Sequence, residues 1–156
     1  MFFDTGDLRN DEIFLKLVKA EKSKSKQRWA PCYLFKICLS DGGAEIGLCD
    51  FRIGNTEKLY FGGNIGYRVY EPYRGFHYAA KACLLLFELA KKHKMPYLYI
   101  TCNPDNFASR RTCEYAGATL ESIIDLPEDN DMYLIGERKK CIYKVTFSER
   151  DRRKQD

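Results

Sequence analysis

At 156 residues, with 45% hydrophobic and 14% aromatic residues, the chain has the makeup of one globular domain over residues 1–156, able to bury roughly two-thirds of its unfolded surface. A net charge of +4 is too modest to argue for nucleic-acid binding, and no apolar run reaches the ~18 residues that would span a membrane. Seven cysteines without a Cys-x-x-Cys pair, beside only two histidines, offer neither a disulfide framework nor a metal site; they read as buried free thiols in a reducing, cytoplasmic setting.

In chain order, the opening MFFDTGDLRND lacks the pattern of a signal peptide. Residues 12–20 (EIFLKLVKA) fit a strand or an amphipathic helix, and the alternation of Ile13, Leu15 and Leu17 with Lys16 favours the strand. The basic run 16–28 reads as a solvated loop or a surface for anionic groups. Residues 33–39 and 45–53 are strands joined by the turn Ser40-Asp41-Gly42-Gly43. A third strand of this meander is expected over 58–70, irregular at Gly62-Gly63.

The loop Glu71–Ala79 then opens a helix over 79–93, whose Lys81, Glu88 and Lys92 share one narrow exposed stripe. Residues 97–102 (YLYITC) form a buried strand. Asn103-Pro104 reads as an N-cap followed by proline at the first helical position, with Asn106 as a further helix-opening residue, and Gly117 ends that helix. Strands over 118–125 and 141–147, a polar loop over 126–140 and a frayed basic tail over 149–156 complete the chain. The fold class is α/β (α+β): a mixed, mainly antiparallel sheet flanked by helices.

The loop before the first long helix carries the functional signal. A loop at a helix N-terminus turns backbone N–H groups outward with the positive end of the dipole behind them, which suits a pyrophosphate. Residues 74–79 read RGFHYA and resemble the R-G-x-G-x-(A/G) signature of the GNAT superfamily of acetyl-CoA-dependent N-acetyltransferases. Asn106 and Ser109, followed eight residues later by Gly117, resemble that superfamily's second motif.

The resemblance implies acetyl-CoA as cosubstrate, an amine acceptor, no metal, and acyl transfer by direct attack on the thioester. It implies that the backbone of Tyr67 and Val69 pairs with the pantetheine arm. The pyrophosphate would lie over Arg74, Gly75, Phe76, His77, Tyr78 and Ala79, with Asn106 and Ser109 holding the arm. Arg74 would neutralise charge or brace the loop. His77 departs from the family's second loop glycine; it would crowd the phosphates, donate to them, or stand by. Helix capping is the alternative role for Asn106.

Catalytic groups are harder to find. Many members carry a tyrosine seven residues after that asparagine, as the acid for the leaving thiolate; here the position is Cys113, and Tyr115 is about 200° round the helix. The slot of a glutamate base is Phe61, leaving Asp50, Asn64 and Glu71 as the nearest polar residues. The two helices that wall the acceptor site in most members have only residues 21–32 to replace them, so the N-terminal helical region is shortened and a second subunit could complete the site as a homodimer. A non-catalytic acyl-CoA-binding or regulatory module is the alternative reading.

Overall fold

The computed structural model describes residues 1–22 and 30–153. A four-stranded meander comes first, β1 (Ile13–Glu21), β2 (Cys32–Leu39), β3 (Glu45–Arg52) and β4 (Ile65–Val69), each pairing with the next. A second sheet holds β5 (Tyr97–Cys102), β6 (Thr119–Asp125) and β7 (Lys139–Thr146) in the order β5-β7-β6. All ladders are antiparallel. The expected α+β sheet flanked by helices is therefore present as two antiparallel sheets that touch at their β4 and β5 edges. The ambiguous first segment is the strand β1.

Period-two alternation decides what each strand buries. Tyr33, Phe35 and Ile37 of β2 and Cys49 and Phe51 of β3 point into the core. Helix α2 (Tyr78–Lys92) covers this face with Ala82, Cys83, Leu86, Leu89 and Ala90, all buried. Just past its end, His93 meets the rings of Tyr33 and Phe51, and its Nε2 lies 2.7 Å from the Tyr33 hydroxyl. Lys81 pairs with Glu12, and Lys92 with Asp7 at 2.5 Å. The stripe expected to face solvent is thus partly covered by the N-terminal segment.

Two further helices flank β5 on opposite sides. In α1 (Glu57–Gly62), Tyr60 packs edge-on against Tyr99, and the Phe61 carbonyl accepts from the Thr101 hydroxyl at 2.9 Å. In α3 (Phe107–Tyr115), the buried Cys113 faces Cys102 and Tyr67. Thr101 and Cys102 are neighbours in one strand, so these helices lie on opposite faces.

Four expectations are corrected here. Residues 57–62 are helix α1, not strand: Thr56 enters in extended backbone, and Gly63 at φ 82° ends the helix by donating to the Leu59 carbonyl at 2.8 Å. The slot assigned to a strand glutamate, Phe61, therefore sits on a helix. Helix α3 begins after Asn106, not at Asn103-Pro104, because the Asn106 side chain supplies the cap; Gly117 follows its C-cap at φ 90°. The loop after β6 contains α4 (Asp131–Leu134), opened by Asn130, which accepts from the Met132 N–H at 2.9 Å. The tail forms α5 (Glu149–Arg153) rather than a frayed end, and residues 154–156 lie outside the described residues. In the basic run, Lys16–Glu21 belong to β1, while residues 23–29 lie outside the described residues.

Candidate functional site

Between β4 and β5 lies a cleft of about 700 Å³. Its closed end is set by Asn64, whose backbone N–H donates to the Tyr99 carbonyl at 2.7 Å. The Asn64 side chain accepts from the Tyr99 N–H at 2.8 Å and donates to the carbonyls of Arg52 and Gly54, each at 2.9 Å. Beyond this stitch, among the described residues, no ladder joins β4 to β5. Ile65 to Val69 form one wall, and Thr101, Cys102 and Asn103 the other.

The free edge of β4 faces the cleft. Arg52 donates its N–H to the Asn64 carbonyl, and Tyr70 donates to the Ile46 carbonyl, so even-numbered positions pair with β3. By alternation, the backbone groups of Tyr67 and Val69 turn toward the cleft. Arg74 donates from Nε to the Val69 carbonyl at 2.9 Å. That bond braces the loop and leaves the Tyr67 groups and the Val69 N–H at the edge.

At the open end stands the N-terminus of α2. A 3₁₀ turn at Glu71–Tyr73 leads into Gly75 at φ 94° and His77 at φ 63°, ψ 23°. His77 is the N-cap, yet its side chain makes no capping bond. The N-cap of this fifteen-residue helix thus supplies no side-chain acceptor to its first-turn N–H groups. A Cβ at Gly75 would meet nothing within 4 Å, so the loop is open above that position. The His77 ring stacks on Tyr115 at 4.0 Å with 4° between planes. Tyr115 therefore points at the loop, away from the β4 wall.

Arg74, Gly75, His77, Tyr78 and Ala79 line the cleft together with Tyr67, Val69, Asn106 and Ser109. Phe76 does not; its exposed ring lies beside Tyr78. Asn106 caps α3 by accepting from the Ser109 N–H at 3.1 Å. The Ser109 hydroxyl in turn lies 2.5 Å from the Tyr67 hydroxyl.

The residues singled out for catalysis are less well placed. Cys113 is fully buried and away from the cleft lining, and burial pushes its thiol up to about 12. Asn64 is 1% exposed and its side chain is fully engaged in the stitch. Asp50 accepts from Arg52 Nε at 2.7 Å, and Arg52 also donates to the carbonyls of Gly62 and Gly63 at 3.1 and 3.0 Å. The other Asp50 oxygen lies over Gly66, where a Cβ would come within 2.4 Å. Glu71 is exposed on the 3₁₀ turn.

Among the cleft residues that sequence reasoning did not single out is a polar pair, Lys140 and Glu137. Lys140 is 7% exposed, donates to Asn103 Oδ1 at 2.8 Å and pairs with Glu137 at 2.8 Å. Nothing local marks this pair, because β7 brings it to the cleft from far along the chain. The sequence pattern marks Tyr67 for its backbone, while the fold also brings its phenol to α3.

The family model of the acetyltransferase (GNAT) domain matches residues 5–119. The chain belongs to the GNAT acetyltransferases. No curated protein matches the sequence. Among solved structures, the Agrobacterium tumefaciens acetyltransferase is similar over 94% of this chain and 98% of its own, at 18% identity and TM-score 0.64. The GNAT-family acetyltransferase of Bacillus anthracis is similar over 72% of this chain and 65% of its own, at 19% identity and TM-score 0.58. The microcin C7 self-immunity acetyltransferase MccE, solved with acetyl-CoA and AMP, is similar over 74% of this chain and 61% of its own, at 21% identity and TM-score 0.58. The chain thus spans less than two-thirds of the length of the latter two, and these similarities speak for the GNAT fold.

Proposed function

We propose that this GNAT chain binds acetyl-CoA in the β4–β5 cleft and transfers its acetyl group to an amine of a small molecule or protein. The observation that carries this reading is the uncapped N-terminus of α2 at the mouth of a cleft with a free strand edge. The residues fit such a donor. First-turn N–H groups and the helix dipole suit a pyrophosphate, Gly75 leaves room for it, and Tyr67 and Val69 offer the edge an extended arm would pair with. MccE, of the same fold, holds acetyl-CoA.

Bound acetyl-CoA supplies an activated acetyl thioester. Tyr67, Val69 and the 74–79 loop hold and orient it, so proximity carries much of the catalysis. Asp50 and Glu137, two carboxylates near the cleft, are each paired with a cation, which ties both up as bases. At pH 7 an α-amine is neutral about one time in six, a lysine about once in 2,500. An acceptor of low pKa therefore needs least help, with water taking its proton. Seven unpaired cysteines support a reducing, cytoplasmic setting.

Calorimetric titration with acetyl-CoA, beside thiol release over a panel of amines, tests the reading. Binding with CoA release accelerated by one amine supports the transferase and names its acceptor class. Binding without turnover on any amine favours a regulatory module, and no binding overturns the assignment.

A further inference from the structure

A thiolate leaving group needs a hydrogen-bond donor, and position 113, where the resemblance places a tyrosine, holds a buried cysteine away from the cleft. A phenol reaches the same spot from another element. Tyr67, on β4, sends its hydroxyl across to α3, 3.9 Å from the Cys113 sulfur, 2.5 Å from Ser109 Oγ and 3.4 Å from the Ser109 carbonyl. Tyr67 and Ser109 both line the cleft.

We infer that the Tyr67 phenol takes over from β4 the place of the missing α3 tyrosine, as a positioning residue that donates to Ser109 Oγ and so aims the serine O–H at the departing sulfur. This rests on the acetyltransferase reading above. Ser109 carries a single proton. When its oxygen accepts from Tyr67, that proton is left to donate into the cleft. Burial pushes the Cys102 thiol of the cleft wall upward, and the Ser109 hydroxyl offsets only part of that rise.

The surroundings keep the Tyr67 phenol protonated. Burial drives its phenol far above the ordinary range, so it remains O–H at any working pH. Its titratable neighbours are Cys113 of α3 and Cys83 of α2, with Cys49 beside it on β3. All three thiols are pushed upward by burial and stay neutral.

In the reaction, the amine nitrogen forms a bond to the acetyl carbon and the carbon–sulfur bond breaks. Sulfur leaves with the electron pair, and Ser109 O–H, backed by Tyr67, donates to it. The proton released by the nitrogen returns through water to the donor pair or the sulfur, leaving N-acetylated amine and CoA thiol.

Tyr67→Phe keeps the ring and removes the hydroxyl. Its kcat is expected to fall about 10²-fold, the low end of general-acid contributions, with KM for acetyl-CoA within about twofold because the backbone edge is intact. Ser109→Ala should fall similarly, and the double variant no further than the worse single one, as for groups acting as a unit. A second readout needs no turnover: the ultraviolet absorbance of the thiolate of bound CoA, followed against pH. The bound thiol should ionise about one pH unit lower in the wild-type protein than in Tyr67→Phe.

If both variants fold, bind CoA and keep wild-type kcat and thiol titration, the Tyr67–Ser109 pair merely ties β4 to α3 and the inference falls. If Tyr67→Phe does not fold, Ser109→Ala decides alone by the same two readouts. Should the wild-type protein bind no CoA, the acetyltransferase reading fails and this inference with it.

Discussion

Asn64 is where the two sheets are joined, so its removal should open the cleft at its closed end. Asn64→Ala deletes one acceptor and two donated hydrogen bonds at 2.8–2.9 Å. The Tyr99 N–H and the carbonyls of Arg52 and Gly54 then lose a partner at a site only 1% exposed. Each buried polar group left unsatisfied costs about 1–3 kcal/mol. Allowing for water entering the truncated site, the total is about 3–5 kcal/mol, a large share of the ~5–15 kcal/mol that holds a domain folded. Asn64→Asp is the sharper probe. It keeps the acceptor for Tyr99 but turns an oxygen toward two carbonyl oxygens, which disfavours the carboxylate and raises its folded pKa above the usual ~3.9. A raised carboxyl pKa means that the folded state holds the proton more tightly. The deficit relative to wild type is then smallest below about pH 4 and grows as pH rises toward the folded pKa. Urea unfolding followed by circular dichroism at pH 4 and 7 measures both effects. A loss below about 1 kcal/mol for Asn64→Ala, or a pH-independent deficit for Asn64→Asp, would refute the stitch.

His77 adopts the left-handed conformation that favours glycine, at about 1–2 kcal/mol for a residue with a Cβ, while its stack on Tyr115 returns about 0.5–1.5 kcal/mol. His77→Gly should therefore stay within about 1 kcal/mol of wild type, and His77→Ala should melt lower than His77→Gly; the reverse order by scanning fluorimetry would refute the balance. Burial, with the α-amino group adding to it, lowers His93 to about 4. A depressed histidine stays neutral when folded, so its contribution is intact above its ordinary value of about 6.5 and is lost as pH falls toward 4. His93→Gln should flatten the decline in stability across that window, measured by urea unfolding at pH 7, 5.5 and 4.5. Cys113→Tyr restores the family's tyrosine at a fully buried site whose neighbouring space the Tyr67 phenol occupies. It should cost about 1–3 kcal/mol or more by overpacking and lower Tm without raising kcat.

Much of this molecule follows from local pattern. The alternation in β2 and β3, the long amphipathic run of α2 and the two motifs at residues 74–79 and 106–117 can be read directly, because propensity, turn residues and motif spacing agree there. Local pattern also marks the loop proposed for an anionic donor, since a glycine before a long apolar helix needs no distant partner to be recognised. The misread segments are those where distant contacts override local preference. The run EKLYFGG looks like strand, and becomes α1 because Tyr60 packs on Tyr99 and the Phe61 carbonyl accepts from Thr101, about forty residues away. Asn64 looks like a polar residue free for chemistry, until the approach of β5 engages its whole amide. Cys113 sits at the acid's position in sequence, but burial makes it inert, while the Tyr67 hydroxyl arrives beside it from a strand 46 residues earlier. Sequence alone marked the loop proposed for the donor and the strand and helix that flank it; the tertiary structure decided which side chains meet in the cleft, because that depends on contacts between elements far apart in the chain.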